Sequence, residues 1–205
     1  MPFKPNQREY RSVFTSFHAA EPADGGDEQN GFVVEGYATT FDSPYQFGDD
    51  SHYECISSRA FDSADMSDVV FQENHEGSPL ARLKNGSLAV EMDGHGLKVR
   101  ADLSGSQRGR ELYEAISNGL IDSMSWGFTV AHDGWEYDRD TRTATVTKIK
   151  KVYDVSAVTF PANSDTEIHA RSYIDGVIDQ EKQELLERGN DERRRLALLL
   201  KINSI

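Results

Sequence analysis

The sequence is poor in cysteine, since Cys55 is the only one in 205 residues. A single cysteine excludes a disulfide within the chain and a zinc site built from paired thiolates. Long apolar runs are also lacking: no stretch approaches the roughly 18 residues needed to cross a bilayer, and the N-terminus has no apolar signal core. These absences predict a soluble, unexported protein of a reducing compartment.

Positive charge is in deficit, with 22 Lys and Arg against 35 Asp and Glu and a net charge of -13. A protein that binds nucleic acid by neutralising phosphates has the opposite balance, and an acidic surface is repelled by anionic membranes. We therefore expect no direct contact with nucleic acid and none with a membrane. A GxGxxG motif, a P-loop, an HExxH motif and a Cys/His cluster are also lacking, so no cofactor and no metal are predicted.

The segments that are present predict a β-rich domain. From Phe32 onward, short apolar segments are bounded by Gly, Asp, Asn or Ser, a pattern typical of an antiparallel sheet or barrel. Helices are predicted around 59–66 and from the N-cap Ser106 to Gly119. The predicted fold class is α+β: a mainly antiparallel β-barrel with surrounding helices. The predicted strands are 32–41, 52–56, 69–75, 87–92, 96–103, 135–138, 141–151 and 152–160.

Composition divides the chain into three segments. Residues 1–31 form an N-terminal segment whose acidic part, from residue 18, has no hydrophobic period and predicts a loop or linker. Residues 32–170 form the β-barrel domain. Residues 171–205 form a helical arm that ends in a leucine-rich stripe, and we expect this stripe to pack on the barrel or on a partner.

The stretch IDSMSWGFTV, residues 121 to 130, predicts a strand with two unlike faces. Alternation places Ser123, Ser125 and Gly127 on a small polar face, where Gly127 would let a substrate backbone come close. A serine hydroxyl becomes a nucleophile when a neighbouring base takes its proton. The opposite, apolar face carries Met124, Trp126, Phe128 and Val130.

Six histidines are candidate bases, and His75 differs from the others. It ends the apolar strand VVFQENH and precedes a predicted loop with Gly77 and Pro79, and sites are commonly assembled at strand ends. Spacing alone gives the catalytic interpretation little support and favours a half-exposed histidine and a small strand serine. The remaining histidines are His18, His52, His95, His132 and His169.

Five sequence blocks occur in an order that is known from a protein family. They are GYATTFDSP, SSRAFDSA, NHEGSPLARLKNGSLAVEMDGHGLKVRADL, GRELYEAISNGLIDSMSWGF and YDVSAVTFPANSDTEI. From about Phe32 to Ile168, this set resembles the prohead (procapsid maturation) proteases of tailed bacteriophages, whose fold is similar to the herpesvirus assemblin serine proteases. The resemblance implies a hydrolase of virion maturation, located in the host cytoplasm and packaged inside the viral prohead.

The resemblance also implies the site residues. Ser125 matches the nucleophile of the family and His75 the base. Asp154 stands where the family usually has a glutamate, so it retains the carboxylate on an arm one methylene shorter, and its implied role is to orient His75. Alternation would place Asp154 on the same strand face as Val152 and Ser156. Ser123 is the rival nucleophile, although the family pattern aligns it with a small, non-catalytic position.

The function implied by the resemblance is that of a serine endopeptidase of capsid maturation. It would cleave the scaffolding protein or domain, the N-terminal region of the major capsid protein and itself. Capsid and scaffolding proteins would be its partners, and the enzyme would be a homodimer or higher oligomer. The alternative is a non-catalytic scaffold or assembly-chaperone β module that binds capsid protein. The oxyanion hole stays unassigned, with Arg108 and Arg110 as candidate electrostatic helpers.

Overall fold

The computed structural model describes residues 8–13, 17–20, 31–46, 52–159, 183–184 and 186–195. The chain divides into two compact units, residues 4–168 and residues 1–3 with 169–205. Residues 183–184 and 186–195 of the second unit are helical. No helix in the described ranges combines the length and apolar character of a membrane span. Most of the predicted acidic linker, the segment FPAN after the last strand, and Leu196 to Leu200 lie outside the described residues.

Strands dominate the described part of the first unit. Its α-helix is α1 (Gln107–Ser117), and 3₁₀ turns lie at Ser58–Phe61 and Leu83–Asn85. The strands are β1 (Glu9–Val13), β2 (His18–Ala19), β3 (Val33–Thr40), β4 (Tyr45–Gln46), β5 (Tyr53–Ile56), β6 (Val70–Glu73), β7 (Glu76–Arg82), β8 (Leu88–Met92), β9 (Gly96–Asp102), β10 (Ser123–Val130), β11 (Trp135–Asp138), β12 (Thr143–Val146) and β13 (Ile149–Val158).

The strands pair into three sheets, with the orders β1-β10-β13-β6-β7, β11-β12-β5-β4 and β2-β3-β9-β8. The pairings β13–β6 and β12–β5 are parallel, and the others are antiparallel. The α+β prediction is confirmed, but the described strands do not close into the predicted barrel. Closure needs the two edge strands of a sheet to pair, whereas β1 and β7 lie on opposite edges of the largest sheet.

The apolar face of β10 packs into the core, as the alternation predicts. Met124, Trp126 and Phe128 are fully buried, and the Trp126 and Phe128 rings are stacked with centroids 3.9 Å apart. Complete burial of such side chains contributes about 1.5–3 kcal/mol each. The same core cluster includes Val34 of β3 and Leu112 of α1. β10 is therefore held on one face while its other face is left for polar groups.

Helix α1 begins and ends where the sequence predicts. Ser106 is its N-cap, because the side chain accepts a 2.9 Å hydrogen bond from the Gly109 amide. At the other end Gly119 has φ of 69°, and its amide donates to the Ile116 carbonyl. The buried residues Leu112 and Ile116 fix the helix on the core, so the chain leaves it directly into β10.

Several local predictions differ from the structure. The helix predicted at 59–66 is only the 3₁₀ turn Ser58–Phe61, because the Asp and Ser residues that follow it are poor helix formers. The strand predicted at 141–151 is interrupted after Val146, where the amides of Thr147 and Lys148 both donate to the Gly134 carbonyl. The predicted acidic loop begins later than residue 18, since β2 pairs with β3.

Candidate active site

Ser125 lies in the middle of β10, between two strands that pair with it. It stands opposite Ser12 of β1 and Ser156 of β13. Partners directly opposite share a face of a sheet, so three small hydroxyl side chains form one patch. Ser125 is fully buried, and a peptide can reach its Oγ only if the groups around it move.

His75 is held in a two-residue turn between β6 and β7. Asn74 and His75 have φ of 51° and 60°, the left-handed values that a type I′ hairpin turn requires at both positions. The Asn74 amide donates to the Ala157 carbonyl at 2.9 Å, and the Thr159 amide donates to Asn74 Oδ1 at 3.1 Å. A histidine in this conformation is strained, and the turn persists because β13 anchors it. The turn carries the imidazole to the polar face of β10.

The Gly and Pro segment after His75 is strand β7, not the predicted loop. Pro79 has no amide to donate, but β7 is the edge strand of its sheet, where proline is tolerated. His75 is therefore placed by a hairpin, with a strand on each side of the turn. This restricts the imidazole more than a loop would.

The structure brings Ser125, His75 and Asp154 into one hydrogen-bonded chain. His75 Nε2 lies 2.7 Å from Ser125 Oγ, and His75 Nδ1 contacts Asp154 Oδ2 on the other side of the ring. An ionised carboxylate only accepts, so Nδ1 carries the proton and Nε2 is free to accept one from Ser125. Ser156 Oγ donates to Asp154 Oδ2 at 3.0 Å and lies 3.2 Å from His75 Nδ1.

A β-bulge determines where Asp154 points. Asp154 pairs with Gly127, whereas Val152 pairs with Phe128, so the register shifts at Tyr153. Val152 is therefore in the core, and the prediction that it shares a face with Asp154 is wrong. The predicted sharing with Ser156 is correct, because Ser156 lies opposite Ser125.

Gly127 makes room for groups of this chain, and its predicted role of admitting a substrate backbone stays a prediction. A Cβ atom at Gly127 would overlap Asp154 Oδ1 and would lie 2.9 Å from Arg8 Nε and 3.0 Å from Tyr10 Cε1. Only glycine leaves that space open without displacing a neighbour. Gly127 thus permits the close approach of the Asp154 carboxylate and of the Arg8 and Tyr10 side chains.

Arg8 and Tyr10 are parts of the site that the sequence did not reveal. Arg8 forms an ion pair with Asp154 Oδ1, the oxygen that does not face His75. The Tyr10 ring packs on the His75 imidazole with centroids 4.4 Å apart. No sequence signal marks them, because they precede the family-like blocks and their roles depend on β1 pairing with a strand over a hundred residues away.

Burial and charge keep His75 in its basic, neutral form. Burial lowers the pKa of His75, and the nearby Arg8 charge lowers it further, to about 4 against an ordinary 6.5. The side chain keeps 16% of its surface exposed, whereas Ser125 and Asp154 are fully buried, so His75 is the one of the three that meets solvent. At neutral pH the imidazole can therefore accept a proton, as a general base must.

The other predicted candidates have other contacts. Ser123 Oγ donates to Asp122 at 2.9 Å. Arg108 pairs with Glu73 at 3.1 Å, and Arg110 donates to the Ser104 carbonyl at 2.6 Å. Within the described residues no group of three or more His, Cys, Asp or Glu side chains could hold a metal ion. Ser125 is therefore the β10 serine that His75 contacts.

Comparison with known proteins identifies relatives of the chain. The family described as caudovirus prohead serine protease matches residues 19–178. The prohead protease of Enterobacteria phage HK97 is 32% identical over 166 residues, which cover 79% of this chain and 69% of that protein. No solved structure matches the chain.

Proposed function

Because the chain belongs to the caudovirus prohead serine protease family, we propose that it is an endopeptidase of procapsid maturation with Ser125 as its nucleophile. The observation that supports this role is the chain of contacts from Asp154 through His75 to Ser125. Serine, base and orienting carboxylate in this order are the groups that peptide acyl transfer requires. His75 is the general base and Asp154 its orienting partner in this proposal.

The reaction proceeds through an acyl-enzyme. His75 Nε2 takes the proton of Ser125 Oγ as Oγ bonds to the scissile carbonyl carbon, and the carbonyl oxygen becomes the oxyanion. The intermediate collapses when the C–N bond breaks and His75 gives the proton to the leaving amine. Water then attacks the ester with His75 as base again, which releases the acid and restores the serine. Asp154 stabilises the imidazolium that forms in each step.

The substrates that we propose are the scaffolding domain or protein, the N-terminal region of the major capsid protein, and the protease chain itself. The support is the family and the name of the HK97 relative, a prohead protease. We propose accordingly that the chain acts inside the assembling prohead in the host cell, as a homodimer or higher oligomer. The alternative function is a non-catalytic scaffold or assembly chaperone. The test below would support it if the wild-type chain cleaved nothing.

The test is intact-mass measurement after co-expression of the chain with its cognate capsid and scaffold proteins. Wild type is expected to produce discrete truncations, and Ser125→Ala is expected to produce none while shells still assemble. Ser123→Ala is the matched control, because it changes a serine on the same strand face that His75 does not contact. Truncations that persist with Ser125→Ala would reject the assigned nucleophile, and intact proteins with wild type would favour the scaffold.

A further inference from the structure

Strand β1 presents one of its faces to the proposed active site. Tyr10 stands opposite Gly127 and Ser12 stands opposite Ser125, so both lie on the polar face of β10. Arg8, just before the strand, reaches the same region and has its guanidinium 5.1 Å from the Tyr10 ring centroid and 4.8 Å from that of Tyr153. The segment is thus ordered against the site by a pairing register and by two aromatic rings.

We propose that Arg8 and Tyr10 are positioning residues for peptide cleavage, through the Arg8 ion pair with Asp154 and the Tyr10 ring on His75. The proposal rests on the proposed function, since it assigns Asp154 and His75 to the triad. Both residues act through another residue and need not touch the substrate. Strand β1 and the residue before it therefore contribute to the active site by positioning Asp154 and His75.

The two oxygens of the Asp154 carboxylate face different charged or titratable partners, in addition to Ser156 at Oδ2. Oδ2 faces His75 Nδ1, and Oδ1 faces the Arg8 guanidinium. The ion pair at Oδ1 and the hydrogen bonds at Oδ2 oppose rotation of the carboxylate away from the imidazole, and pre-positioned groups lower the barrier of the chemical step. Gly127 supports this reading, because its missing side chain leaves the space in which Arg8 and Asp154 meet.

Arg8 also acts on the proton affinity of His75. Asp154 alone would favour a charged imidazole, but the Arg8 charge offsets that carboxylate. Burial is the first cause of the low His75 pKa and Arg8 is the second. Removal of Arg8 should therefore raise the His75 pKa part of the way from about 4 towards its ordinary 6.5. A purely structural arginine would leave this pKa unchanged.

The experiment measures the rate at which a fluorophosphonate probe labels the full-length protein between pH 4 and pH 9. Arg8→Gln should shift the acid limb to higher pH, so that the ratio of wild-type to variant rates is larger at pH 5 than at pH 8, by up to about 2.5-fold. Arg8→Lys keeps the charge and should keep the wild-type pH profile at a lower rate. Arg59→Gln removes an exposed arginine that pairs with Asp62 and should match wild type.

Two further readings keep the outcome unambiguous. Tyr10→Leu should slow labelling at every pH, and Tyr10→Phe should restore it, because only the ring packs on the imidazole. NMR titration of the His75 ring in wild type and Arg8→Gln gives the pKa without any need for activity. An unshifted His75 pKa or an unchanged pH profile in a folded Arg8→Gln protein overturns the inference. Absence of labelling in wild type, with the His75 pKa shifted as expected, would overturn the proposed function instead.

Discussion

Strand β1 and the residue before it contribute two arginines to opposite faces of one sheet. Arg11 is on the core face, where 4% of its side chain is exposed. Its Nε and one terminal nitrogen donate to the two oxygens of Glu54 at 2.6 and 2.9 Å, and the same terminal nitrogen donates to Glu9 at 2.7 Å. Arg8 is on the site face, 37% exposed, and pairs with Asp154 beside the imidazole.

The two arginines show how similar ion pairs differ in what they control. Burial alone would lower the pKa of Arg11, but the charges of Glu54 and Glu9 raise it well above its ordinary value, so Arg11 remains charged. Its ion pairs hold β1 to β5, away from the imidazole. Arg8 instead lies next to Asp154 and His75, the proposed orienting carboxylate and general base. We therefore expect loss of the first arginine to lower stability and loss of the second to change the chemistry.

The largest effect is expected from Asp154→Asn, which removes the charge of the carboxylate that pairs with Arg8 on the site face. The amide leaves the Arg8 charge unopposed and no longer fixes the His75 tautomer that accepts at Nε2. Loss of this carboxylate should lower kcat/KM by about 10³- to 10⁴-fold. Initial cleavage rates of the capsid protein measure it, with the exposed carboxyl variant Asp62→Asn as control. A loss of less than tenfold in a folded variant would refute the orienting role of Asp154.

On the core face, Arg11→Met leaves Glu9 and Glu54 buried without their cation. Removing one partner of a buried charge cluster costs about 3–5 kcal/mol of unfolding free energy. Urea denaturation measures the loss, and Arg59→Met provides the control at an exposed arginine. Arg11→Met should also release β1 and slow cleavage through Arg8. A stability equal to that of the Arg59 control would mean that the Arg11 cluster does not hold the strand.

The pH dependence of the unfolding free energy distinguishes the two faces. The contribution of His75 on the site face and that of Glu9 on the core face change with pH in opposite directions. The folded-state pKa of His75 is about 4, so between 4 and 6.5 the unfolded chain binds more protons and stability falls as pH falls. Burial raises the pKa of Glu9, so the contribution of Glu9 to folding stability is lost as pH rises above 4.5. The unfolding free energy of wild type relative to His75→Asn should drop by up to about 3 kcal/mol from pH 6.5 to 4. A difference that is constant with pH would contradict the assigned His75 pKa.

The same measurement of unfolding free energy against pH on Glu9→Gln tests the contribution of the core face. Above pH 4.5 the stability of wild type relative to this variant should decline as pH rises, because the charged carboxylate is costly to bury. Urea denaturation at three or four pH values is sufficient for both variants. If Glu9→Gln and His75→Asn gave slopes of the same sign, the contrast between the two faces would be wrong.

The smallest effect is expected from Gly127→Ala. The added methyl group would displace the Asp154 carboxylate or the Arg8 side chain, and a misplacement of this size lowers kcat by about tenfold or more. Gly105→Ala is the control, since a Cβ there meets no atom within 4 Å. Equal kcat values for the two alanine variants would show that the space at Gly127 is not needed.

Sequence patterns predicted the local structure well where neighbouring residues determine it. The two faces of β10 follow from alternation, and α1 follows from its cap and terminal glycine. Ser125, His75 and Asp154 were predicted by resemblance, and they do lie in contact. Their catalytic roles stay predictions that the variants above test.

The features that were missed depend on long-range pairing. β1 carries Glu9 and Arg11 towards the core, the reverse of the usual pattern, and this is stable only because Glu54 arrives from β5. The bulge at Tyr153 shifts the register in the middle of β13. Neither effect leaves a local sequence signal, since each is set by the strand that lies alongside.

The most direct test of the central claim is to locate the covalent adduct after wild-type protein reacts with a fluorophosphonate. The account predicts one adduct on Ser125 that is lost in Ser125→Ala, strongly reduced in His75→Ala and retained in Ser123→Ala. An adduct on Ser123, or undiminished labelling of Ser125 without His75, would contradict it.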